Sequence, residues 1–156
     1  MSLRVLCLGN SLLADDAFGL LVAERLRGQE PHVDVAEAST SGFDLLDYTL
    51  GADRLLVVDT FKSGALPPGA ISVFREEDVQ SVPGGSPHYV GLFEALRLGK
   101  ELRLPVPQDV TIIAVEPADC LTVGGPMHPA VQGAVEAVLE LIRKQSVVRP
   151  GAHNCR

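Results

Sequence analysis

Two carboxylates and one imidazole, Asp16, Asp59 and His88, stand where a folded chain can bring them to one edge. Asp16 follows the break Gly9-Asn10 at the end of an apolar run and opens a helical pattern. Asp59 ends the clearest buried-strand pattern of the chain, Arg54-Leu55-Leu56-Val57-Val58-Asp59. His88 follows Ser86-Pro87, which reads as a helix start with Ser86 as N-cap and Pro87 at the first helical position. Carboxylate and imidazole together suit zinc, nickel or a similar borderline divalent ion, and so few side-chain ligands leave room for water or substrate. Blander roles fit the same spacing. An acid at a helix mouth interacts with the helix dipole and orphan N–H groups, for up to about 1 kcal/mol. A strand-end acid can be solvated, and His88 can be a surface histidine. His128 stands in a similar place before Pro129, Glu37 ends a second strand pattern as another carboxylate at the same edge, and Lys62 is the basic group just behind Asp59.

The elements that must position these groups alternate. Residues 3–8 form a short continuous apolar run, a strand covered on both faces. From Asp15 the pattern turns helical, with either Asp15 or Asp16 as N-cap and Gly28 closing the helix. Residues 33–38 read as a second strand nearer the sheet edge, and Phe43, Leu45, Leu46, Tyr48 and Leu50 as a second helix. The strand 54–59 passes into a loop over 60–69, and a strand follows over 70–74. The stretch 80–87, rich in Ser, Pro and Gly, is irregular. A helix from Ser86 to near Gly99, a strand over 110–115 and a last helix reaching about Lys144 complete the pattern. Such alternation, with runs too apolar for a one-sided sheet, predicts a three-layer αβα fold around a mostly parallel twisted sheet. Ligands of such folds bind at the carboxyl edge of the strands. One domain over residues 1–145 is expected, with 146–156 as a flexible tail.

Composition narrows the class. The chain has 156 residues, 46% hydrophobic and 21% charged, enough for a core that needs no metal or disulfide support. A net charge of −7 with scattered basic residues argues against nucleic-acid binding, which needs clustered Lys and Arg. No apolar run approaches the roughly 20 residues of a membrane span, and no secretory leader pattern opens the chain. The three cysteines, Cys7, Cys120 and Cys155, are widely spaced and odd in number, which points to a reducing compartment and a cytoplasmic protein. Other chemistries lack their signatures. Leu8-Gly9-Asn10 is not G-x-G-x-x-G, and neither a P-loop nor a G-x-S-x-G elbow is present.

The order of these motifs resembles the hydrogenase maturation endopeptidases, which remove a C-terminal extension from the large subunit of nickel-iron hydrogenases. The resemblance covers nearly the whole chain to about Lys144. It rests on Gly9-Asn10 followed by Asp15-Asp16 and Gly19, and on Val57-Val58-Asp59 leading through Gly64 to Pro68-Gly69. His88 with the following Gly-Leu and Ala-Leu of its helix, and Val115-Glu116-Pro117 before the last helix, complete it. The resemblance implies that Asp16, Asp59 and His88 are the metal-contacting and catalytic trio. It implies nickel, or another divalent metal in its place, carried by the substrate. The implied partner is a nickel-iron hydrogenase large-subunit precursor, cut after the basic residue that follows its last Cys-x-x-Cys. Glu37 falls near a position where relatives carry an acid implicated in substrate or nickel recognition. Departures from the family pattern are Ala17-Phe18 where many members have Gly-x, Lys62 in place of a second acid, and His128 in place of Ser. A non-proteolytic nickel-binding or nickel-sensing accessory protein with the same trio is the alternative. A phosphorylase- or hydrolase-like enzyme on a similar scaffold is a third option, but it lacks a phosphate-binding signature.

Overall fold

The computed structural model describes residues 2–81 and 86–146, the side chains of residues 80, 81 and 86–88 excepted. The expected tail beyond residue 146, and residues 82–85 of the expected irregular stretch, lie outside the described residues. Five strands form one sheet: β1 (Leu3–Leu8), β2 (Asp34–Ala38), β3 (Arg54–Thr60), β4 (Ile71–Arg75) and β5 (Asp109–Val115). Their order is β2-β1-β3-β5-β4. The first four are parallel neighbours, and β4 closes one side antiparallel to β5. The helices are α1 (Phe18–Gln29), α2 (Leu46–Thr49), α3 (Ser86–Glu101), α4 (Pro129–Gly133) and α5 (Val135–Ser146).

Successive side chains of a strand point to opposite faces, so a strand covered on both sides must be apolar at every position. The central strands obey this. Val5, Cys7, Leu56, Val58, Ile113 and Val115 pack with α1, α4 and α5. Their neighbours Leu6, Leu8, Leu55, Val57, Ile112 and Ala114 pack with α3 and the 3-10 turn Gly42–Leu45. The expected three-layer αβα arrangement is the one observed, with β2 at the edge as its partly polar sequence suggested.

Local departures have identifiable causes. The expected second helix is only a 3-10 turn followed by one α turn, and Leu50 turns extended so that the chain can return into β3. Phe43 and Tyr48, two of the residues that suggested it, are exposed. Gly28 lies inside α1, which ends when Glu30 N–H donates to Leu26 C=O. The last helix is two, broken at Ala134, whose N–H shifts to tighter acceptors at Gln132 and Val131.

The tightest part of the fold is the passage from β1 to α1. A Cβ on Gly9 would lie 2.2 Å from the Asp16 carbonyl oxygen, and one on Gly19 would lie 2.2 Å from that of Leu8. Asn10 N–H donates to the same Asp16 carbonyl at 3.1 Å. Backbone therefore runs against backbone at both ends of the connection, and only glycine leaves the room. Gly28, in contrast, has nothing within 4 Å of a built Cβ. Gly19→Ala is expected to lower the unfolding free energy by about 3 kcal/mol or more, through overpacking against main chain that cannot yield. Gly28→Ala is expected to raise it by roughly 0.5–1 kcal/mol. Urea denaturation of the two variants checks both signs.

Candidate active site

A cavity of about 200 Å³ opens at the carboxyl edge of the sheet, and Asp16 and Asp59 both line it, with Gly9, Asn10, Ser39 and Tyr89. Asp59 continues β3 on the α3 side of the sheet, in the alternation of Leu55 and Val57. It is 5% exposed, a charge brought almost wholly out of water, so its oxygens need donors. Oδ1 accepts the Thr60 N–H at 2.8 Å, and Oδ2 accepts the Tyr89 hydroxyl at 3.3 Å. Tyr89 is buried in edge-on contact with Phe74, ring centroids 5.2 Å apart, and tilted against Phe61 at 5.8 Å. Burial first, then the Asp59 charge and hydrogen bond, push the phenol far above its ordinary pKa, so Tyr89 stays a donor.

Asp16 sits in a 3-10 turn (Ala14–Ala17) between β1 and α1, less buried than its neighbour Asp15. Its Oδ1 accepts the Thr60 hydroxyl at 3.0 Å. Thr60 Oγ1 also touches Cys120 Sγ at 3.7 Å. Burial, partly offset by the Thr60 hydrogen bond and reinforced by the charges of Asp16, Asp15 and Asp59, pushes the Cys120 thiol up to about 11. Residue 88 occupies the first turn of α3, one residue before Tyr89; its side chain lies outside the described residues.

The remaining groups singled out in the sequence have other work. Asp15 is not a helix cap: α1 has Ala17 at its N-cap, with no side-chain hydrogen bond. The Asp15 carboxylate is fully buried and accepts three main-chain N–H groups. Oδ2 takes Ala118 at 2.7 Å and Asp119 at 2.8 Å, and Oδ1 takes His128 at 2.6 Å. Its own N–H donates to Asp119 C=O at 2.8 Å, so one residue fastens the loop after β5 to the turn carrying Asp16. His128 is the exposed N-cap of α4, its Nδ1 accepting the Ala130 N–H. Glu37 lies at the same end of the sheet but on the opposite face from Asp59. It pairs with Cys7 in register and forms an ion pair with Arg27 at 2.8 Å. It does not line the cavity. Lys62 is an exposed loop residue whose charge acts on Asp119.

Sequence reasoning passed over three residues that shape the site. Thr60 and Tyr89 read only as a loop start and a helix-face aromatic, although a buried tyrosine hydroxyl seeks a partner. Glu116 read as a strand end. It is buried, and its carboxylate holds the loop after Asp59 through Ser63 N–H, Ser63 Oγ and Gly64 N–H. A larger groove of about 930 Å³ lies at the amino end of the strands. Among its charged groups, Arg75 is paired with Asp109 and Arg97 with Glu76.

A family model described as hydrogenase maturation protease matches residues 20–145 of the chain. The chain belongs to that family. The protease is 33% identical to the hydrogenase expression/formation protein HoxM of Cupriavidus necator, over 88% of this chain and 72% of that one. It is 30% identical to the hydrogenase 2 maturation protease of Escherichia coli, over 91% and 88% of the two chains. The solved structure of the hydrogenase maturating endopeptidase HybD from Escherichia coli superposes with a TM-score of 0.76, at 28% identity, covering 94% of each chain. The protein is thus an endopeptidase of hydrogenase maturation, and these relatives give no support to a non-proteolytic accessory role. Among the described residues no helix is long and apolar enough to cross a membrane.

Asp15→Asn in this protease places an amide N–H against N–H donors in a buried site. We expect a loss of about 3 kcal/mol in urea denaturation, from an unsatisfied buried network.

Proposed function

We propose that this protease removes the C-terminal extension of a nickel-loaded nickel-iron hydrogenase large-subunit precursor, and that Asp16, Asp59 and His88 contact the nickel. The reading is carried by one observation: Asp59 at the end of β3 and Asp16 in the turn between β1 and α1 line one cavity at the edge where such folds bind ligands. The first turn of α3, which carries His88, is tied to that cavity through the Tyr89–Asp59 hydrogen bond. Among the described residues no three His, Cys, Asp or Glu side chains form a group able to hold a metal ion. In this reading the two carboxylates supply oxygen donors, His88 supplies a nitrogen, and the precursor brings the ion with its own ligands. Nickel is in this reading part of the substrate, with another divalent metal able to stand in its place. Cys7 and Cys120, both unpaired, suit the reducing cytoplasm in which we place the reaction.

The two carboxylates divide the labour. Asp59 has a donor on each oxygen, which holds its negative charge in a fixed orientation. Asp16 has a donor on Oδ1, and no hydrogen bond from a described residue falls on Oδ2. Asp16 can then accept a proton from the water that adds to the scissile carbonyl and return it to the leaving amide nitrogen. A divalent ion beside that carbonyl supplies polarisation of the C=O bond and a more acidic water. The cut follows the basic residue after the last Cys-x-x-Cys of the precursor.

Asp16→Asn and His88→Ala are each expected to slow shortening of the nickel-loaded precursor at least about a hundredfold. Far-ultraviolet circular dichroism should remain that of the unaltered protein. Precursor shortened at the normal rate by both variants, as read on a denaturing gel, would defeat the assignment.

A further inference from the structure

We infer that Thr60 is a positioning residue that ties the two site carboxylates into one unit, its hydroxyl orienting Asp16 while its main-chain N–H orients Asp59. The inference deepens the reading of Asp16 and Asp59 as the site, and rests on it. Consecutive residues of a strand send their side chains to opposite faces of the sheet. Asp59 faces the α3 layer, whereas Thr60 follows Leu56 and Val58 onto the α1 side, where the turn carrying Asp16 arrives. The Asp59 carboxylate bends back onto the Thr60 N–H at 2.8 Å, and the Thr60 hydroxyl reaches Asp16 Oδ1 at 3.0 Å. The last residue of β3 therefore addresses one carboxylate from each face of the sheet.

The proton on the Thr60 oxygen has one arrangement that satisfies its neighbours. An ionised carboxylate only accepts, so the hydroxyl hydrogen points to Asp16. The same oxygen then accepts from the Cys120 thiol at 3.7 Å. Donation runs in one direction, from Cys120 to Thr60 to Asp16. Thr60 is 5% exposed, so its hydroxyl has little water to turn to instead. Asp16 has no such enclosure. It stands in a turn of four residues, and Thr60 supplies the side-chain hydroxyl that fixes its rotamer. Without that donor the carboxylate can swing, and small misplacements of a reacting group reduce rate steeply.

Packing and hydrogen bonding by Thr60 predict opposite orders for two substitutions. Thr60→Val keeps the shape and loses the hydroxyl; Thr60→Ser keeps the hydroxyl and loses a methyl group. With nickel-loaded large-subunit precursor as the probe, Thr60→Val is expected to lower kcat about 10- to 100-fold with KM within about threefold. Thr60→Ser is expected to retain kcat within about threefold. A Thr60→Ser defect larger than that of Thr60→Val would overturn the inference, as would full activity of Thr60→Val. Thr60→Ala takes the place of Thr60→Val if the latter does not fold, with the same expectation against Thr60→Ser. Asp16→Asn in the same assay separates the two levels: an inactive Asp16→Asn with a fully active Thr60→Val sinks the Thr60 inference alone. A fully active Asp16→Asn sinks the site reading beneath it.

Discussion

The connection between β1 and α1 is closed backbone against backbone, and the site depends on that closure. Gly9 lies on the Asp16 carbonyl and Gly19 on the Leu8 carbonyl, with no space for a Cβ at either point. This contact brings the turn Ala14–Ala17 up against the end of the sheet instead of letting it loop away into solvent. Once the turn is there, its two acids fall on different sides of the local surface. The helix that follows packs Phe18, Val22, Ala23 and Leu26 onto the sheet, which fixes the turn from its other end.

Asp15 and Asp16 show how one residue type takes opposite roles at adjacent positions. Asp15 is wholly buried, and its charge is tolerable because three main-chain N–H groups from two separate segments converge on it. Asp16 borders the cavity and shares in one side-chain hydrogen bond. The first acid holds the loops together; the second meets what enters. Glu116 repeats the structural use of a buried carboxylate on the neighbouring loop, through Ser63 and Gly64. Two buried acids thus secure the loops around the edge, and two acids at the cavity remain for chemistry.

The layers of the fold were legible because continuous apolar runs at 54–59 and 110–115 admit only a strand covered on both faces. The same logic brought Asp16 and Asp59 to one edge, since the carboxyl ends of parallel neighbours β1 and β3 must lie together. What was not legible depends on contacts distant in sequence. Asp15 reads as a cap until the loop 118–128 is seen to fold over it. Glu37 shares an end of the sheet with Asp59, but the two-residue period of β2 sends it to the other face, where Arg27 meets it. Thr60 carries no local sign that its hydroxyl will find Asp16, 44 residues earlier.

The central claim is that the carboxylates at this edge, with His88, read nickel held in the precursor before the peptide bond is cut. Intact-mass spectrometry of the large-subunit precursor, incubated with the protease in parallel nickel-loaded and nickel-free forms, tests it most directly. The account predicts loss of the C-terminal peptide from the nickel-loaded form alone. Equal shortening of both forms would contradict it.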